Sequence, residues 1–141
     1  MGQQQLLLII VGLIVVAIAV AIGITMFSDN AVSANRDAVM NDLVLLASHA
    51  QEYSRRPTTM GGGGNSFLAL DATNGMKLLT KTSTSLMVNA NGTYTISTAG
   101  TTSTVELTGV GTENGNDPTK KVTVVMIVWA DSSTVDPTKT N

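Results

Sequence analysis

Residues 6–57 read LLLIIVGLIVVAIAVAIGITMFSDNAVSANRDAVMNDLVLLASHAQEYSRRP, and this one stretch decides the fold. From residue 6 to residue 24 it holds only Leu, Ile, Val, Ala and Gly. Thr25 interrupts, and Met26 and Phe27 extend the run. As a helix, residues 6–27 would be about 33 Å long at ~1.5 Å per residue. The hydrocarbon core of a bilayer is roughly 30 Å thick. A helix apolar on every face has to be covered on every face, by lipid or by protein. A cleaved secretory signal fits poorly, because no basic residue precedes the run and the run is too long. That leaves a single-span anchor, or a helix that waits in the membrane and then packs with copies of itself. Ala17 with Ala21, and Ala19 with Gly23, form small-xxx-small pairs that let helices approach closely.

After Ser28-Asp29-Asn30 the pattern changes. Val39, Leu43, Leu46, Ala50 and Tyr53 recur at steps of four, three, four and three, the single stripe of an amphipathic α-helix. The spacing sets Asn35, Arg36, Asp42, Ser48, Gln51 and Glu52 on the other side. Pro57 ends the helix, because proline disfavours the α region for Arg56. No proline falls between Ile24 and Ala31, so the expectation is one continuous helix from about Gln3 to Arg55, a rod of roughly 80 Å. Its first half needs covering all round. Its second half needs a partner surface on one side, and the stripe Val39, Leu43, Leu46, Ala50, Tyr53 is the expected helix–sheet contact.

The remainder, residues 57–141, reads as strands and turns. Strand candidates are 66–70, 85–88, 93–98, 104–108 and 121–129. Asn91-Gly92 is a two-residue hairpin signal between the second and third. Tyr94 and Ile96 alternate with threonines, as do Val105 and Leu107, which suits half-buried strands. KKVTVVMIVWA is the longest and most apolar candidate and belongs in the centre or against the helix. ATNGMKLLTKT, residues 72–82, suits a short helix or a turn. The tail DSSTVDPTKTN is expected to fray. A four-stranded antiparallel meander with one buried face needs a cover, and the amphipathic stripe is the only helical one on offer. Four consecutive glycines, Gly61 to Gly64, mean either a mobile loop or a neighbour too close to admit a Cβ.

Composition narrows the chemistry. The chain has 141 residues, a net charge of −2, one histidine and no cysteine. No electrostatic case for nucleic acid exists. Disulfides, thiolate metal sites and a cysteine nucleophile are excluded, and a lone His49 rules out multi-histidine metal sites. About one residue in seven is threonine, and charged residues make up 13%. A phosphate-cradling loop would need Lys-Ser/Thr after the glycines, and Asn65-Ser66-Phe67 stands there instead. Glu113, Asn114, Asn116 and Asp117 carry oxygens that could hold Ca²⁺, but their spacing matches no defined loop and reads first as a turn. Asn91-Gly92-Thr93 is an N-glycosylation pattern whose Asn-Gly the hairpin also requires. The acids are scattered, with no recognisable catalytic pair and no Ser-His-acid set. The expectation is a protein that is not an enzyme, with no cofactor and no small-molecule substrate.

QQLLLIIVGLIVVAIAVAIGI, then NRDAVMNDLVLLASHAQEYSRRP, then a small β domain: this order of parts resembles the type IV pilin superfamily, comprising pilins, type II secretion pseudopilins and their archaeal relatives. The likeness covers the whole chain as architecture and the N-terminal third as pattern. It implies an α+β, pilin-like fold in three parts. Residues 1–27 would anchor the subunit in the cytoplasmic membrane and later form the filament core. Residues 28–56 would pack on the sheet, and 57–141 would form the extracellular β domain. It implies a structural subunit, the major pilin of a cell-surface filament, with cell adhesion among the family's roles. The alternatives are a minor pilin or pseudopilin, and a monomeric membrane-anchored extracytoplasmic binding protein. The implied partners are copies of itself, the membrane before assembly, and an assembly machinery that includes a prepilin peptidase. The implied assembly interface is Gln5, Leu6, Leu7, Ile10, Leu13, Ile14, Ala17, Ile18, Ala21 and Ile24. Family members carry a basic leader that the peptidase removes, which would account for the neutral Gln3-Gln4-Gln5 ahead of the run. With Met1 as the mature terminus, the family's usual glutamate falls at Gln5, which can accept a hydrogen bond but brings no charge. Cleavage between Gly2 and Gln3 is the alternative. The helix-breaking proline usual near position 22 and the C-terminal disulfide of many bacterial pilins are both absent.

Overall fold

The computed structural model describes residues 2–115, 117 and 119–141. The apolar run and the amphipathic stripe form one helix, α1 (Gly2–Arg55), 54 residues long. Nothing breaks it at residues 23–30: Thr25, the one polar side chain within the apolar run, hydrogen-bonds the Ile22 carbonyl at 2.8 Å. The helix stops one residue before Arg56, which precedes Pro57.

The sheet is an antiparallel five-stranded meander, ordered β1 (Met87–Val88), β2 (Gly92–Thr98), β3 (Thr104–Asn114), β4 (Lys121–Trp129) and β5 (Ser133–Val135). Register follows the alternation in the sequence. Ile96 faces Leu107 and Leu107 faces Met126 across the central strands, and buried residues alternate with half-exposed ones along most of β3. The inner face, with Tyr94, Ile96, Val105, Leu107, Val122, Val124, Met126 and Val128, meets Val39, Leu43, Leu46, Ala47, Ala50 and Tyr53 of α1. The helix lies across β3 and β4. It comes close because β3 offers no side chain at Gly109, where a Cβ would lie 2.6 Å from Val39 Cγ1. Phe67 and Leu70 from the preceding loop, and Met76 and Leu79 from α2 (Gly75–Thr80), close the ends of the core.

The sequence reading is corrected at four places. Residues 66–70 are a turn and not a strand: Phe67 and Leu70, three apart, both plug the core, and the Leu70 N–H bonds the Phe67 carbonyl at 2.8 Å. Of 85–88 only β1 forms. β3 runs six residues beyond residue 108, with a register shift between Val110 and Asn114 that absorbs the glycine-rich end. The tail does not fray as expected. It supplies β5, and Asn141 exchanges backbone hydrogen bonds with Thr123. Gly62, Gly63 and Gly64 fall to the second alternative, while Gly61 has open space where a Cβ would lie. Gly63 and Gly64 donate backbone N–H bonds to the Tyr53 and Arg56 carbonyls, and Asn65 donates one to Ser54, so the loop folds back to cap the C-terminus of α1. A Cβ on Gly63 would lie 1.9 Å from the Ser66 carbonyl oxygen, and Gly61 and Gly64 hold positive φ.

Candidate assembly surface

The helix divides into two environments. Val39, Leu43, Leu46, Ala50 and Tyr53 are buried under the sheet. Every position from Gln5 to Ile24 belongs to the projecting half, and Leu6, Leu7, Ile10, Leu13, Ile14, Ala17, Ile18, Ala21 and Ile24 are all exposed. Leu13 is 70% exposed and Phe27 81%. The segment is long and apolar enough to cross a membrane. So large a continuous apolar surface calls for a cover that the other described residues do not provide. The backbone asks nothing of that cover, because α1 satisfies its own N–H and C=O groups along the run.

The position of the β domain on the rod is fixed by a polar clasp at the end nearer the apolar run. Asp42 Oδ2 accepts hydrogen bonds from Asn89 Nδ2 at 2.8 Å, Asn91 Nδ2 at 2.8 Å and Tyr94 Oη at 2.5 Å. Asn35, two turns earlier, donates through Nδ2 to the Asn91 carbonyl and accepts from the Thr112 and Glu113 N–H groups. Together they tie the β1–β2 turn and the end of β3 to the helix. Partial desolvation works to raise the Asp42 carboxyl, but the three donors outweigh it and hold it below the usual carboxylate range. Burial, and then the bond to the Asp42 carboxylate, push the Tyr94 hydroxyl up. The stripe placed Asn35 and Asp42 on the side away from the sheet; they sit on its flanks and reach round. The Asn-Gly hairpin signal found one partner of the clasp but gave no hint of the helix acid it meets.

At the other end, Gln51 Nε2 donates to the Trp129 and Ser132 carbonyls and Arg55 to Ala130. On the outer face of the sheet, Lys139 of the tail bonds Glu106 at 2.6 Å and holds that carboxyl below its ordinary range. His49 Nδ1 lies 3.2 Å from the Leu79 carbonyl, in a cleft of about 190 Å³ shared with Glu52, Arg56 and Lys81. Among the described residues, no three His, Asp or Glu side chains converge as metal ligands. The Ca²⁺ reading involves Asn116, which lies outside the described residues, as does Met1, on which the alignment at Gln5 rests.

No family model, curated protein or solved structure matches the chain. What stands is the shape: a long apolar N-terminal helix packed through its second half on an antiparallel sheet, which is pilin-like.

Proposed function

We propose that the chain is the structural subunit, the major pilin, of an extracellular type IV pilus-like filament. One observation carries this reading: residues 6–27 project as an uncovered apolar helix, continuous with a helix that is already fastened to a folded domain. In the membrane, lipid covers the projecting half. In the polymer, copies of the same half cover one another, and the β domains form the outer shell. A leucine or isoleucine moved from lipid to a protein core keeps its burial. Extraction therefore need not oppose the full hydrophobic term of ~1.5–3 kcal/mol for each such side chain. In this reading the chain has no catalytic task. Its partners are itself, the membrane before assembly, and an assembly machinery with a prepilin peptidase.

The reading is tested by Leu13→Asp, which sets a carboxylate in the middle of the run. Electron microscopy of material sheared from cells, with mass spectrometry of the intact subunit, should find filaments of this chain in the parent and none in the variant. Normal filaments from Leu13→Asp cells, or a parent chain that stays monomeric in every non-denaturing condition, would overturn it.

A further inference from the structure

Asparagine before glycine is the dipeptide most prone to cyclise, because glycine puts no side chain in the way of its own nitrogen. The chain has three such pairs, Asn74-Gly75, Asn91-Gly92 and Asn114-Gly115. In the reaction the glycine nitrogen loses its proton and bonds to the asparagine Cγ. The Cγ–Nδ2 bond breaks, and the amide nitrogen takes up a proton and leaves as ammonia. Water then opens the succinimide ring to aspartate or isoaspartate. The structure engages the attacking nitrogen in every pair. Gly75 donates its N–H to the Asp71 carbonyl at 2.8 Å, Gly92 to Asn89 Oδ1 at 3.0 Å and Gly115 to the Lys120 carbonyl at 2.7 Å. At Gly75 and Gly115 the acceptor is main chain. At Gly92 it is a side chain, and that side chain is held by Asp42.

Asn89 Oδ1 also accepts from the Asn91 N–H at 2.9 Å, while Asn89 Nδ2 donates to Asp42 Oδ2 at 2.8 Å. The Nδ2 of Asn91, the group that would have to leave, donates to the same carboxylate oxygen at 2.8 Å. The Asn91 carbonyl accepts from Asn35 Nδ2 at 2.9 Å. The peptide between Asn91 and Gly92 is therefore pinned on both sides, which holds its nitrogen away from Cγ. Neither residue is replaceable. A Cβ on Gly92 would lie 2.3 Å from the Val110 carbonyl oxygen, and Asn91 is one of the donors that close the clasp. We propose that Asn91 is a latent modification site: the closed clasp keeps it inert, and each opening exposes it to cyclisation onto Gly92. The change is one-way. It replaces an amide donor to Asp42 with a second carboxylate, and two like charges at hydrogen-bond distance repel. Isoaspartate also lengthens the main chain in the turn that sets the register of β1 on β2. A converted domain has lost its clasp for good. The inference concerns the single chain and does not depend on the filament.

Ageing the full chain in detergent at mildly alkaline pH, with mass spectrometry of fragments to assign each site, tests the guard. Short synthetic peptides spanning the three pairs set the unguarded rates. In the folded parent Asn91 should convert about tenfold or more slowly than in its peptide. Asp42→Ala should return most of that rate to Asn91 while leaving the ratio of Asn74 to Asn114 unchanged. Asn89→Ala removes the acceptor of the Gly92 N–H and keeps Asp42 with Tyr94, so it should pick out Asn91 in the same way even if Asp42→Ala fails to fold. Leu46→Ala weakens the core but leaves every clasp residue in place, and should raise all three rates together or none. The proposal is overturned by a folded parent whose Asn91 converts as fast as its peptide. It is equally overturned if Asn89→Ala leaves Asn91 inert, or if Leu46→Ala accelerates Asn91 alone.

Discussion

Replacing Asp42 by alanine tests whether the clasp holds the β domain in place. The change removes the acceptor of three hydrogen bonds, from Asn89, Asn91 and Tyr94. Tyr94 is fully buried, so its hydroxyl is left without its partner, at a cost of ~1–3 kcal/mol. Asn89 and Asn91 are half-buried and recover water in part, so each loses about 0.5–1 kcal/mol, the net worth of a modest hydrogen bond. The sum is about 2–5 kcal/mol. At roughly 4 °C per kcal/mol for a domain of this size, the melting temperature of the full chain in detergent, followed by circular dichroism, should fall by about 8–20 °C. Tyr94→Phe removes the most buried donor first, so Asp42→Ala on that background should cost about 1–3 kcal/mol less. The pH dependence has a definite sign. A carboxyl held below its ordinary value contributes stability that is complete above the unfolded pKa and fades as the pH falls through the folded one. The gap between parent and variant should therefore stay constant from neutral pH to about 5, and narrow only below about 4. A variant melting within ~2 °C of the parent, or a gap already closed at pH 6, would refute the clasp.

Two further changes probe the packing. Leu46→Ala, at a position 2% exposed beneath β3 and β4, should cost ~2–5 kcal/mol as a core truncation, and an unchanged melting temperature would remove the stripe from the helix–sheet contact. Gly63→Ala forces a Cβ against the Ser66 carbonyl at 1.9 Å, so the capping loop must open. We expect a loss of about 1–3 kcal/mol, and faster hydrogen exchange at the Gly63, Gly64 and Asn65 amides. Exchange rates equal to the parent's would show that the loop does not cap the helix.

The parts of the fold that were legible in the sequence are those set by local rules. The rod could be read because an all-apolar run, a four-three stripe and Pro57 each speak for helix or its end without reference to the rest of the chain. β4 could be read because nine residues of dense β-branched and apolar side chains admit little else. The misreadings share another cause. Phe67 and Leu70 have the chemistry of a strand but a spacing of three, and only the space above α1 decides that they plug the core from a turn. β5 is three residues long, and its Ser-Thr-Val owes its conformation to the open edge of β4. Asp42 looked like a solvated helix residue because its partners lie 47, 49 and 52 residues away, a distance no local pattern reports. The exposed apolar surface of residues 6–27 was plain from composition.

The unbroken helix also has a mechanical meaning. Tension along a fibre built from such rods would travel through α1 and its contacts with other rods, while the sheet hangs beside the line of force. Its strands would not lie in series with the load, so pulling would shear rod against rod before it peeled strand from strand. The fibre's breaking strength would then be set by how the rods grip one another, and the outer face of the domain could be altered freely without weakening the cable.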